Sequence, residues 1–112
     1  MKGGIMYDQR DVVLIPFPYS DLTGAKLRPA LIISNKNLNT TEDRICCLIT
    51  SNKTKEGILL NKNLEYGKLP FDSWVKPQRL FTIDQKIIKR KLCKIKNDFH
   101  KEIIKELDKY IN

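Results

Sequence analysis

The chain is expected to fold as mainly β with α, a small antiparallel barrel or sandwich that carries one helix at its C-terminal end. Short runs rich in Val, Ile and Leu recur along it, separated by segments rich in Gly, Pro, Asn and Asp, the pattern of many short strands joined by turns. From Asn97 the period changes: Phe99, Ile103, Ile104, Leu107 and Ile111 fall at helical spacing, with Lys101, Glu102, Lys105, Glu106 and Lys109 between them. No repeat, low-complexity stretch or linker interrupts the 112 residues, so one domain over 1–112 is expected.

Met1 to Arg10 holds two early glycines and little pattern and reads as a frayed lead-in, with either Met1 or Met6 serving as a start. The first strand is Val12 to Phe17, ended by Pro16 and Pro18, which cannot donate to a ladder. Tyr19 to Leu27 has the turn chemistry of a surface loop and is longer than a tight hairpin requires. Pro29 to Ser34 is the second strand, and both runs are apolar enough to suit burial on both faces. A residue before proline is pushed out of the helical region, so Arg28 is held extended at the foot of this strand and its guanidinium is aimed.

Asn35 to Asp43 reads as a polar connection, and Arg44 to Thr50 as a third strand that stops at Thr50, Ser51, Asn52 and Lys53. Ile58 to Leu60 is a short strand, Asn61 to Pro70 a polar stretch, and Ser73 to Val75 and Leu80 to Ile83 are two more short strands interrupted by Lys76 and Pro77. Ile87 to Ile95 sets apolar residues among Lys86, Lys89, Arg90, Lys91, Lys94 and Lys96 with no acid between them. It reads as a short edge strand, where lysines discourage edge pairing, with an RNA-facing role as the sharper alternative. Asn97 suits the cap of the closing helix and Asp98 the positive end of its dipole.

The formal net charge is +8, from 21 Lys and Arg against 13 Asp and Glu, with a pI of about 9.5. That balance suits a protein that meets polyanions, or simply a solubilised surface. No apolar run approaches the roughly 20 residues of a membrane span, and the opening residues lack the apolar core of a signal peptide, so a cytoplasmic location without membrane contact is expected. Cys46 and Cys47 are neighbours that a strand points to opposite faces, no CxxC is present, and His100 is the one histidine. These residues and Cys93 therefore read as small apolar fillers rather than metal ligands, and no metal or other cofactor is expected. His100, among helix charges, reads as a surface residue. P-loop, dinucleotide, HExxH and nucleophile-elbow motifs are all absent.

Taken together, Asp11-Val12-Val13-Leu14-Ile15-Pro16-Phe17-Pro18, then Asp21 and Gly24, then Arg28-Pro29-Ala30-Leu31-Ile32-Ile33-Ser34 and Ile49-Thr50-Ser51 resemble the MazF/PemK toxins of type II toxin–antitoxin systems. Leu80-Phe81-Thr82-Ile83-Asp84 and the closing helix fit the same pattern, so the resemblance runs from Arg10 onward. It implies an SH3-like barrel of the MazF/PemK/CcdB type, a homodimer, and a metal-independent endoribonuclease that cuts single-stranded RNA to 2′,3′-cyclic phosphate and 5′-hydroxyl ends. It places the family's catalytic arginine on Arg28 and its threonine on Thr50, and it implies a cognate antitoxin that occupies the RNA groove. Three positions depart from the pattern: Arg10 where Gly is usual, Phe81 where many members carry Arg, and Cys93 where Gly is common.

The chemistry asked of such a site fits these residue types. Attack by the RNA's own 2′-hydroxyl needs a donor for the phosphorane oxygens, and a planar, permanently charged guanidinium bridges two of them, which suits Arg28. Thr50 can add a hydroxyl hydrogen bond. Lys26, Ser51, Lys53 and Arg79 are candidate RNA contacts, and Phe17 and Tyr19 candidate stacking platforms, whereas Trp74 suits the core better. Two other readings stay open: a non-enzymatic CcdB-like poison that binds DNA gyrase, and a non-catalytic RNA-binding barrel.

Overall fold

The computed structural model describes residues 6–17 and 26–111. Seven strands form one antiparallel sheet: β1 (Asp11–Phe17), β2 (Lys26–Ile32), β3 (Asp43–Thr50), β4 (Ile58–Leu59), β5 (Leu64–Gly67), β6 (Trp74–Asp84) and β7 (Arg90–Ile95). A short helix, α1 (Lys36–Asn39), joins β2 to β3, a 3₁₀ turn (Gln85–Ile87) joins β6 to β7, and α2 (Asn97–Ile111) closes the chain. The strand order is β4-β6-β3-β2-β1-β7-β5. Its two outermost strands, β4 and β5, are consecutive in the chain with only residues 60–63 between them. A flat sheet would hold them about 29 Å apart at roughly 4.8 Å per step. The link reaches about 17 Å when fully extended, so the sheet has to curl into a half-barrel.

The apolar runs are buried on both faces, and each face has its own core. Val12, Leu31, Cys47, Val75, Cys93 and Ile95 pack on one side against Phe99 and Ile103 of α2. Tyr7, Val13, Ile15, Ala30, Ile32, Cys46 and Ile83 pack on the other. Cys46 and Cys47 thus go to opposite cores, and burial pushes both thiols up to about 12, with Cys93 at about 11 for the same reason.

Several elements differ from the sequence expectation. Tyr7 to Arg10 are not frayed: Arg44, fully buried, donates from Nε to the Tyr7 carbonyl at 2.8 Å and from Nη2 to Gln85 at 2.9 Å. The Arg10 amide bonds to the Ile32 carbonyl at 2.8 Å. The expected pair of strands around Lys76 and Pro77 is one long β6 whose register against β3 jumps from Cys47–Leu80 to Leu48–Lys76. Pro77 lacks a donor there, so residues 77–79 arch out as a bulge instead of ending the strand. The polar stretch after Ile58 contains β5, and the polar connection after Ser34 contains α1. Finally, β7 is not an edge: it lies between β1 and β5.

Candidate nucleic-acid site

The end of the sheet where β2 begins gathers most of the expected site residues. The β2–β3 ladder pairs Ile32 with Cys46, Leu31 with Cys47 and Ala30 with Leu48, and stops where Pro29 has no N–H to give. Continued by two residues along each strand, the same register sets Arg28 level with Thr50. Residues opposite each other in an antiparallel pair project to one face, so the guanidinium and the hydroxyl share a side of the sheet. On that side Ile15 pairs with Arg28, Phe17 with Lys26, and Thr50 with Trp74.

Arg28 is exposed and makes no hydrogen bond or ion pair with another described residue. Thr50 is half-buried, and its Oγ1 accepts from the Asn52 amide at 3.1 Å, which fixes the oxygen and leaves the hydroxyl proton uncommitted among the described residues. Trp74 is half-buried beside Gly57, whose missing side chain makes room for it: a Cβ there would stand 3.0 Å from the Trp74 Cβ.

Among the described residues, two clefts open at this end. One, of about 320 Å³, is walled by Leu14, Leu27, Ile49, Leu69 and Phe71 and includes Lys26, Arg28 and Ser51. The second, of about 230 Å³, is formed by Phe17, Leu48, Arg79, Leu80 and Phe81. Phe81, at the position where many MazF/PemK toxins carry Arg, packs edge-on against Phe17 with ring centroids 6.4 Å apart. The β6 bulge delivers exposed Arg79 to the same cleft, so a cation is still present two residues upstream. Lys53 is exposed beyond the end of β3 and lines neither cleft. Tyr19, Asp21 and Gly24 lie outside the described residues.

The basic run divides into two parts. Asp11 is buried and pairs with Lys94 at 2.8 Å and Lys91 at 3.7 Å. A hydrogen bond to the Tyr66 hydroxyl at 2.7 Å, helped by Asp11, raises the Lys91 pKa. These two lysines therefore hold β7 to the start of β1, while Lys86, Lys89 and Arg90 stay exposed. His100 is buried rather than on the surface, and its Nδ1 has no hydrogen-bond partner among the described residues. Burial, with the Arg10 charge adding to it, lowers its pKa. Among the described residues no cluster of His, Cys, Asp and Glu could hold a metal ion, and no helix is long and apolar enough to cross a membrane.

The geometry defines a class by its fold: a small antiparallel half-barrel with a terminal helix. Solved structures of that class superimpose over nearly the whole chain. MazF from Deinococcus radiodurans matches with a TM-score of 0.72 at 20% identity, over 96% of this chain and 98% of its own. The MazE–MazF complex of the same organism matches with a TM-score of 0.73 at 20% identity, over 97% and 98%. An endoribonuclease in complex with its cognate antitoxin from a Mycobacterial species matches with a TM-score of 0.71 at 16% identity, over 92% of each chain. No curated protein sequence matches. Residues 8–111 fit the sequence profile of the PemK-like, MazF-like toxins, and the chain belongs to that family of type II toxin–antitoxin systems.

Proposed function

We propose that the protein is a sequence-selective endoribonuclease toxin that cleaves single-stranded RNA, mRNA included, without a metal ion. The observation that carries this reading is the open end of the sheet, where an exposed guanidinium with no partner among the described residues and a hydroxyl whose oxygen is already fixed lie at the ends of neighbouring strands. Family membership and fold likeness to proteins described as endoribonucleases support it.

In this reading the 2′-hydroxyl of the RNA gives up its proton as its oxygen attacks the adjacent phosphorus, and the 5′-oxygen takes up a proton as its bond to phosphorus breaks, leaving a 2′,3′-cyclic phosphate and a 5′-hydroxyl. Arg28 holds two phosphorane oxygens, where its bidentate fork gains strength as charge develops, and Thr50 adds a hydroxyl hydrogen bond to a non-bridging oxygen. Lys26, Ser51, Lys53 and Arg79 position the chain through phosphates, and Phe17 and Tyr19 hold bases. The protein acts in the cytoplasm as a homodimer and is neutralised by a cognate antitoxin, for which an acidic, partly disordered segment would complement the +8 charge.

Incubating purified protein with single-stranded RNA in excess EDTA tests the reading. Cleavage is expected to persist, and removing a pre-organised donor costs about 10²–10³ in rate, so Arg28→Ala and Thr50→Ala should each fall by at least about a hundredfold. Retained RNA without cleavage would instead select a binding module. Inhibited DNA gyrase with intact RNA would select the non-enzymatic poison.

A further inference from the structure

At the end of the sheet away from Arg28, where the chain enters β1 and turns from β2 into β3, Gln9, Arg10, Asn35, Lys36, Asn37 and Asn39 line a cleft of about 460 Å³. All six side chains carry N–H donors, and among the described residues neither a carboxylate nor an apolar side chain lines it. Its frame is rigid. Gln9 Nε2 donates to the Ile33 carbonyl at 2.8 Å, and Asn39, only 5% exposed, exchanges two bonds of 2.7 Å with Ser34. Arg10 stands where the family pattern carries Gly, so the cleft owes its guanidinium to this chain. The Arg10 Nη1 is taken by Glu65 and the Ile95 carbonyl, while Nε and Nη2 make no hydrogen bond with another described residue. Lys36 is exposed and makes no ion pair among the described residues.

We propose that this cleft binds a phosphate group, and that the phosphate it takes in use belongs to the RNA strand outside the cut, as an anchor remote from the bond that breaks. The proposal rests on the endoribonuclease reading and adds to it a dependence on substrate length. Donors reach the cleft from two segments, Gln9 and Arg10 ahead of β1 and the asparagines and Lys36 after β2, which suits an anion whose oxygens point several ways. Glu65 offsets part of the Arg10 charge, so Lys36 is the cation that decides affinity. No aromatic side chain lines the cleft, so bases have nothing to stack on and the contact is to the backbone, independent of sequence. Arg28 is level with Ile15, five residues beyond Arg10, a separation of about 17 Å at roughly 3.4 Å per residue. A strand held at Arg28 therefore reaches the cleft only if it continues for several nucleotides past the cut.

Two measurements on wild type and Lys36→Glu test this. In the first, inorganic phosphate is titrated at constant ionic strength while the side-chain amide NMR signals are followed. Saturable shifts at Asn35, Asn37 and Asn39 are expected in wild type and their loss in Lys36→Glu; absent shifts, or equal shifts with acetate, overturn the site. In the second, RNAs of about 8 and about 30 nucleotides carry the same mapped cut site, the longer one exceeding the footprint of a single small barrel. Lys36→Glu is expected to lower kcat/KM about tenfold on the longer RNA, through KM, and to leave the shorter one unchanged. Equal losses at both lengths beside intact phosphate shifts would assign the cleft to free phosphate and overturn the RNA anchor, as would no loss at either length. If wild type binds these RNAs without cutting them, the endoribonuclease reading fails, and the same length comparison read as affinity still decides the anchor. RNA neither bound nor cut overturns both.

Discussion

Gly67 and Arg10 both occupy the left-handed backbone region, at φ of 88° and 78°. Gly67 has no alternative, because a Cβ there would meet the Leu92 carbonyl oxygen at 2.5 Å and the Cys93 Cα at 2.6 Å. Gly67→Ala should therefore lower stability in urea unfolding by at least about 2 kcal/mol, the left-handed cost plus a backbone collision that cannot relax. Arg10 tolerates the same region with a full side chain, where the family pattern carries Gly. Its Nη1 donates to Glu65 and to the Ile95 carbonyl, both at 2.9 Å, and its own carbonyl accepts from the Ile95 amide at 3.0 Å. Those bonds offset a left-handed cost of about 1–2 kcal/mol. Arg28 was legible in the sequence because proline constrains its neighbour locally. Arg10 was not, since the partners of its side chain lie on strands more than fifty residues away.

The helix was the easiest element to read and the easiest to misjudge in detail. Its buried stripe is Phe99, His100, Ile103 and Leu107, while Ile104 and Ile111 are exposed. His100 stands three and seven residues from Ile103 and Leu107, so spacing alone placed it on the stripe and only its polarity argued otherwise. Burial there makes the helix pH-sensitive. The folded state keeps His100 neutral below the ordinary value of 6.5, whereas the unfolded chain takes up a proton, so stability is lost as pH falls below 6.5 and levels off beneath the lowered folded value. The urea midpoint should drop between about pH 7.5 and about pH 5, and His100→Gln should remove much of that drop. In β6 and β7 the residue types were right and the boundaries wrong. A proline signals a lost donor but not whether the strand ends or bulges, and lysines suit a buried ion pair as well as an exposed edge.

At the scale of the molecule, the antiparallel half-barrel followed from strand count and the change of period, but its closure did not, because β5 is short, polar and invisible to an apolar pattern. Charge can be divided on the same scale. Lys26 lies at the open end and should contact phosphate, whereas Lys94 holds a buried carboxylate. Lys26→Ala should therefore reduce the log–log salt slope of RNA affinity by about 0.7, the value per phosphate contact on a single strand. Lys94→Ala should leave the slope alone and lower stability by about 3 kcal/mol, since Asp11 would lose its nearest counter-charge.

Closure also governs how a second polypeptide can meet this fold. The outermost strands of the described sheet are its two shortest, Ile58–Leu59 and Leu64–Gly67, and the link of residues 60–63 turns them toward one another. An incoming strand therefore finds little free ladder to extend, and sheet augmentation at these margins is disfavoured. Any partner is offered the curved faces and the open end instead, so recognition there depends on side chains rather than on backbone pairing.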